Sequence, residues 1–345
     1  MHRPTSDSTL WLPADAADRL PNLLRRRPHP RGPAIFVSRL VDCLFPQTCG
    51  ACDRPIQGRR GVLCERCRAA LAAQWMLNYC TRCGRAVPAA SLRMRDCGRC
   101  ARERMWNAAG LVRVGSYVHV LRRLILDLKF RGRERSAEIL GALLAERIAA
   151  APWRKEIEGL TPVPMHWLRR CQRPCNHAAK LTEVVARHLR LPVVRLVRRA
   201  RYAPSQTQFA SRTRRFANVA GCFAPTRNAL RRRKWAGRTI CVVDNFLSSG
   251  ATLQQVIIAA KKAGARRVYA AVVGRSLLRS EQSVDEALLA LPQSAFSGPR
   301  GSAMNESAVA PPPVPPAGIT DRDRTLAALA ALQDAAAWRE LDRRN

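Results

Sequence analysis

Eight cysteines stand in four CxxC pairs: Cys49/Cys52, Cys64/Cys67, Cys80/Cys83 and Cys97/Cys100. Eleven residues separate the first pair from the second and thirteen the third from the fourth. A CxxC turn aims two thiolates at one tetrahedral ion, and a second CxxC a hairpin later completes a Cys₄ set. Two such sets in tandem read as two zinc ribbons, each holding a structural Zn²⁺, because four thiolates leave no open coordination position. Redox CxxC chemistry is the competing reading, but four pairs on a regular beat suit metal better. Gly84 after Cys83 and Gly98 after Cys97 permit tight knuckle turns. Spacing leaves the pairing order open. Cys43, Cys171, Cys175, Cys222 and Cys241 fall outside the pattern and read as scattered thiols.

A second stretch with chemical content is Cys241-Val-Val-Asp-Asn-Phe-Leu-Ser-Ser-Gly-Ala-Thr-Leu253. A short apolar run meets Asp244 and Asn245, then two serines, a glycine, an alanine and a threonine, and then an apolar helical pattern. Strand, small-residue turn and helix N-terminus together form a phosphate cradle, with main-chain N–H groups turned outward and the helix dipole behind them. No Gly-Lys-Ser/Thr follows, so it is not a Walker loop, and no GxSxG elbow is present.

The elements that position these residues follow from periodicity. Leu111 to Val120 reads as a strand, and 121–130 and 136–150 as helices. Gly159 to Pro164 reads as a buried strand leaving on prolines, and 178–191 as a helix. Arg238 to Val243 is a strand, Thr252 to Ala263 a helix ended by Gly264, and Val268 to Val273 a strand. This alternation predicts an α/β fold: a parallel sheet with helices on both faces, preceded by a small zinc-ribbon module. The domains expected are a disordered tail (1–33), the double zinc ribbon (34–105), the α/β domain (106–279), and a Pro/Ala-rich linker with a possible helix at 321–343 (280–345).

The chain has 345 residues and a formal net charge of +35. From Val184 to Val243 there are fifteen Arg or Lys and no acid, which suggests polyanionic company, nucleic acid or phosphorylated small molecules. A codon bias towards Arg accounts for part of the excess, yet the planar guanidinium also suits phosphate better than an ammonium does. Thirteen Arg stand against five acids between Ala34 and Gly110, which fits either a nucleic-acid surface or a solvated basic face. Aromatics in that module are few, chiefly Trp75 and Tyr79, so a base-stacking platform is weakly supported. Neither a secretory h-region nor an apolar run long enough to span a membrane is visible, so a cytoplasmic protein with reduced or metal-bound cysteines is expected.

The stretch 241–253 resembles the signature of type I phosphoribosyltransferases, in which four apolar residues, two acids and two apolar residues precede Thr-Thr-Gly-x-Thr. Joined to the cysteine module, it is similar to the ComF family of competence-associated phosphoribosyltransferase-like proteins. The resemblance runs from about Phe45 to Arg275. Its other pieces are Leu128-Lys-Phe-Arg-Gly132, Pro162-Val-Pro-Met-His166, and Gln206, Arg215, Asn218 and Phe223 at the family's spacing. It implies that Asp244 and Asn245 face the ribose hydroxyls of phosphoribosyl pyrophosphate (PRPP). Ser248, Ser249, Gly250, Ala251 and Thr252 would face its 5′-phosphate. Arg170, Arg173, Arg201 and Arg215 are candidates for the pyrophosphate, with Mg²⁺ arriving on PRPP. Two departures stand out: Asn245 replaces the second acid, and Arg173-Pro-Cys-Asn-His177 replaces Arg-Gly-Phe-Asn-Gln. They predict PRPP binding with weak or unusual turnover. The acceptor is not legible. The alternative is a non-catalytic accessory protein that binds single-stranded DNA, linked to the DNA-uptake machinery, through the zinc ribbon and basic surface.

Overall fold

Residues 240–243 and 268–273 are apolar at every position, as a strand covered on both faces requires. In the computed structural model they are the centre of a four-stranded, all-parallel sheet whose strands lie side by side in the order 111–116, 267–275, 239–247, 159–162. The structure describes residues 48–56, 62–87, 97, 107–171, 173, 175–204, 211–232 and 234–277. The expected tail, linker and C-terminal helix, and Cys43, Cys100 and Gln206, lie outside the described residues.

The strands are β1 (Leu111–Ser116), β2 (Gly159–Pro162), β5 (Thr239–Leu247) and β6 (Arg267–Arg275). Side chains alternate across them with period two. Val112, Val114, Cys241, Val243, Tyr269, Ala271 and Val273 enter one core cluster, and Ile240, Val242, Val268, Ala270 and Val272 the other. The first cluster is closed by α2 (His119–Leu126), α3 (Glu134–Ala149) and α5 (His177–Leu189), and by the first cysteine module. The second is closed by α8 (Ala251–Lys262) and by an antiparallel pair, β3 (Val197–Arg199) and β4 (Phe223–Pro225). Helices α3 and α5 pass closely at Gly141, where a Cβ would stand 2.4 Å from Val184 Cγ1.

Several boundaries depart from the periodicity reading. β1 stops at Ser116 rather than running to 120, because Val118 N–H turns back to the Ser116 carbonyl and α2 opens at His119. One turn of π-helix, Asp127–Arg131, follows α2 and ends on left-handed Gly132. β5 does not stop at Val243. It continues to Leu247, because β6 pairs alongside it as far as Arg275. Asp244 and Asn245 therefore belong to the strand, and the turn is Ser248–Gly250. The short elements α4 (Trp167–Cys171), α6 (Arg212–Val219) and α7 (Arg227–Arg232), and the β3-β4 pair, had no periodic signal of useful length.

The cysteine module folds onto the sheet domain. Its helix α1 (Glu65–Met76) buries Ala70, Leu71 and Ala72 in the first cluster. Arg147 of α3 stacks over the Trp75 ring at 3.7 Å and donates to the Trp75 carbonyl. Asp53 receives Arg123 Nη2 and Arg133 Nη1, each at 2.8 Å. Beyond α1, Leu111 N–H donates to the Thr81 carbonyl at 2.7 Å, tying the second knuckle to β1. Among the described residues no helix is long and apolar enough to cross a membrane.

Candidate phosphate site and cysteine clusters

The two CxxC turns at 49–52 and 80–83 have the same main-chain geometry. Cys49 N–H donates to Arg54 O and Asp53 N–H to Cys49 O; Cys80 N–H donates to Arg85 O and Gly84 N–H to Cys80 O. The residue after each second cysteine is left-handed: Asp53 at φ 57 and Gly84 at φ 70. Glycine adopts that conformation freely and Asp tolerates it better than most.

The sulfurs of Cys49, Cys52, Cys64 and Cys67 lie within 4.8 Å of one another, as do those of Cys80, Cys83 and Cys97. Sequential CxxC pairs are thus brought together, and the first is not crossed with the third. Cys64 N–H donates to Cys49 Sγ at 3.3 Å, and Ala51 N–H at 3.5 Å. Contact with Cys67 and these donors holds the Cys49 thiol well below its ordinary value, at about 4, while burial pushes Cys52 up to about 11. Converging sulfurs, one already favoured as thiolate, are a donor set suited to Zn²⁺ in a closed structural site. Of the other thiols, Cys171 is exposed, Cys175 half-buried, and Cys222 and Cys241 buried.

Asp244 and Asn245 lie at the carboxyl end of β5, where parallel α/β sheets bind ligands. Both are buried. Asn245 N–H donates to Asp244 Oδ1 at 2.8 Å. Burial lifts the Asp244 carboxyl to about 7, against the Asn245 amide and the charge of Lys129, which pull it down. Asn245 Nδ2 is buried without a hydrogen-bond partner. An unsatisfied buried donor costs free energy until an acceptor arrives.

The chain then turns through Ser248, Ser249 and Gly250, the last left-handed at φ 85 and acting as N-cap of α8. Ser249 Oγ accepts Ala251 N–H at 3.4 Å. Ser248, Ser249 and Thr252 are partly exposed, and Gly250 and Ala251 are buried. The turn thus leads into the positive end of a twelve-residue helix, which favours an anion.

The arginine candidates separate. Arg173 Nη1 donates to the Lys129 carbonyl at 3.4 Å, and its guanidinium stands 4.8 Å from the Phe130 ring, next to the π turn. Arg201 Nη2 is engaged with the Ala220 carbonyl at 2.8 Å. Arg170 is exposed on α4 and Arg215 half-buried on α6. Asn176 accepts Ala179 N–H and caps α5.

Two residues escaped the sequence reading. Lys129, on the π turn, lies 5.1 Å from the Phe246 ring and 6.0 Å from the Tyr117 ring, and its charge reaches Asp244. Its place in Leu128–Gly132 was a usable signal. Arg275, a charge ending an apolar strand, is 1% exposed and reaches the phosphate-loop carbonyls.

Known protein families and relatives match parts of this chain. A double zinc ribbon domain family matches residues 40–101, and a phosphoribosyl transferase domain family matches 176–285. Competence protein F of Haemophilus influenzae is 24% identical over 229 residues, which is 65% of this chain and 95% of that protein. The crystal structure of TT1426 from Thermus thermophilus overlaps 47% of this chain and 98% of that one, at 18% identity and a TM-score of 0.25.

Proposed function

For a chain that joins a double zinc ribbon to a phosphoribosyl transferase domain, as the ComF family does, we propose a cytoplasmic PRPP-binding protein that serves DNA uptake. The observation that carries this is the buried Asp244–Asn245 pair, with its unpartnered Nδ2, directly before the Ser248–Thr252 turn that opens α8. A ribose diol offers acceptors for the orphan donor and donors for the carboxylate. A 5′-phosphate fits the start of α8.

In the reaction, the bond from ribose C1′ to the pyrophosphate oxygen breaks and pyrophosphate leaves with the electron pair. A nucleophile's lone pair forms the new bond to C1′. Mg²⁺ carried by PRPP would neutralise charge on the leaving group. Asp244 is the carboxylate placed to meet the ribose side of that complex. It also faces the positive charge that develops at C1′. Lys129, whose charge reaches Asp244, and Arg173, bonded to the Lys129 carbonyl, would be the cations that meet the diphosphate. Asn245 orients the sugar without adding charge, so binding exceeds turnover.

Calorimetry with PRPP and Mg²⁺ tests this. Wild type should bind, and Asp244→Ala should lose at least tenfold in affinity, the scale of one charged hydrogen bond. No heat from the wild type, or equal affinity in the variant, would overturn it.

A second reading has its own observation. Arg195, Arg198, Arg214, Arg227, Arg231 and Lys234 are exposed in the acid-free span 184–243. Such a surface suits single-stranded DNA, and binding that weakens steeply with salt would support it.

A further inference from the structure

Arg275 ends β6 with its side chain almost wholly withdrawn from water. Nε donates to the Cys83 carbonyl at 3.0 Å. Nη1 donates to the Leu247 carbonyl at 3.1 Å, to the Ser248 carbonyl, and to Ser276 Oγ at 3.0 Å. One side of the guanidinium therefore holds the second cysteine knuckle, and the other holds the entry to the Ser248–Thr252 loop. Gly84, left-handed at φ 70, lies beside this contact: a Cβ there would stand 3.0 Å from Leu111 Cδ2 and at ordinary contact distance, 3.6 Å, from Arg275 Cδ. Ser276 N–H also donates to the Leu247 carbonyl at 2.9 Å, so both ends of this short segment pull on one carbonyl.

We propose that Arg275 is a positioning residue through which the metal-bound second knuckle fixes the phosphate loop. Cys83 O is held where it is by the knuckle turn, and that turn is set by the convergence of Cys80, Cys83 and Cys97 on one centre. When the centre empties, the sulfurs repel or drift and the turn relaxes. Nε then loses an acceptor in a site with almost no water to replace it, and a buried charged donor does not tolerate that. The guanidinium must move, and it carries the Leu247 and Ser248 carbonyls with it. Those carbonyls precede the loop amides, so their direction sets the direction of the cradle. The second ribbon thereby acts on anion binding at the loop without touching the anion. The ligand's identity rests on the PRPP reading above; the coupling does not.

Hydrogen exchange of the Ser276 and Gln254 amides, which donate to the Leu247 and Gly250 carbonyls on either side of the loop, tests the coupling in the full chain with no ligand present. Four proteins are compared: wild type, Cys97→Ser, Arg275→Met and the double variant. Native mass spectrometry confirms that Cys97→Ser falls from two zinc ions to one. Exchange at these two amides should quicken about tenfold in each single variant, the shift expected for one lost charge-assisted hydrogen bond, and no further in the double. Equal exchange there in wild type and Cys97→Ser overturns the proposal, as do effects that multiply in the double variant. Protection of Ile240–Val243 reports whether Arg275→Met folds, and Arg275→Lys replaces it otherwise. PRPP calorimetry on the same set separates the two claims. If wild type binds PRPP and Cys97→Ser binds it equally well, the brace is overturned. If wild type binds none, the PRPP reading fails, and the exchange result alone decides the brace.

Discussion

Arg133 Nη1 lies 2.8 Å from Asp53 Oδ1, joining the sheet domain to the left-handed residue of the first cysteine knuckle. Arg123 takes the other oxygen of the same carboxylate, and Arg133 also stands 3.7 Å from Asp127 at the start of the π turn. The first ribbon is thus linked by charge to the turn that carries Lys129. Burial pushes the Asp53 carboxyl up, but Arg133 and Arg123 outweigh it and hold it below its ordinary value of 3.8. The stability it lends is therefore present above that value and is lost as pH falls through the lower folded one. The carboxylate is more than a third exposed, so solvent screening keeps the contribution near 1 kcal/mol. Asp53→Asn, which keeps a side chain suited to the left-handed backbone, should lose about that much in urea unfolding at neutral pH. High salt should shrink the difference.

The two clusters should differ in what zinc does for them. Cys49, Cys52 and Cys67 belong to the large core cluster with α2, α3 and α5, whereas Cys80 and Cys83 form a small cluster of their own with Val87 and Cys97 packed on it. Metal binding contributes folding free energy where the ligands are part of the folding unit. Cys52→Ser should therefore lower the global melting temperature by roughly 5–10 °C, several kcal/mol spread over a domain of this size. Cys97→Ser should lower it by only about 1–3 °C. Equal losses in calorimetry would contradict the division.

Much of this layout was legible in the chain. The CxxC beat announced the ribbons, and 241–253 announced the strand, turn and helix, because each is a local pattern that one stretch of chain carries by itself. What stayed hidden depends on contacts between distant residues. The strand's extension through Asp244 and Asn245 is imposed by β6 pairing alongside. Arg275 gains its role from Cys83, nearly two hundred residues earlier. Arg201 Nη2 meets the Ala220 carbonyl nineteen residues later, a contact that forms only once β3 and β4 pair. The pairing order of the cysteines was open for the same reason.

Asp244 makes stability and binding oppose each other. Its folded pKa of about 7 lies above the ordinary 3.8, so between those values the folded protein holds a proton that the unfolded chain has released. Stability from this group is full below about pH 4 and falls as pH rises to about 7, a loss of up to about 4 kcal/mol. Asp244→Asn removes the titration. The variant should melt several degrees above wild type at pH 8 and close to it at pH 4. Over the same range, wild-type affinity for Mg²⁺–PRPP should rise with pH as the carboxylate ionises. Calorimetry at both pH values reads each half.

Asn245→Asp tests what the missing carboxylate does. The new side chain would sit buried beside a carboxyl that burial already holds at about 7. Two adjacent carboxylates in such a site resist ionising together, so one pKa rises further. The ligand-free variant should consequently lose about 1–3 kcal/mol of stability at pH 8, with the loss shrinking at pH 5. Bound Mg²⁺ supplies the counter-charge that the pair lacks, so the stability deficit should close when Mg²⁺ and PRPP are added together. A second charge near C1′ also stabilises the developing cation, an effect worth about tenfold or more in rate. Pyrophosphate release from PRPP, with water as the nucleophile, should therefore rise at least tenfold over wild type and show a steeper dependence on Mg²⁺. The unpartnered Nδ2 of the wild-type residue predicts the opposite for binding without metal. On the proposed reading the amide would donate to a ribose oxygen there and a carboxylate would not, so metal-free affinity should fall in Asn245→Asp. Release that stays at the wild-type level across a Mg²⁺ titration, with metal-free affinity unchanged, would mean that residue 245 does not face the sugar.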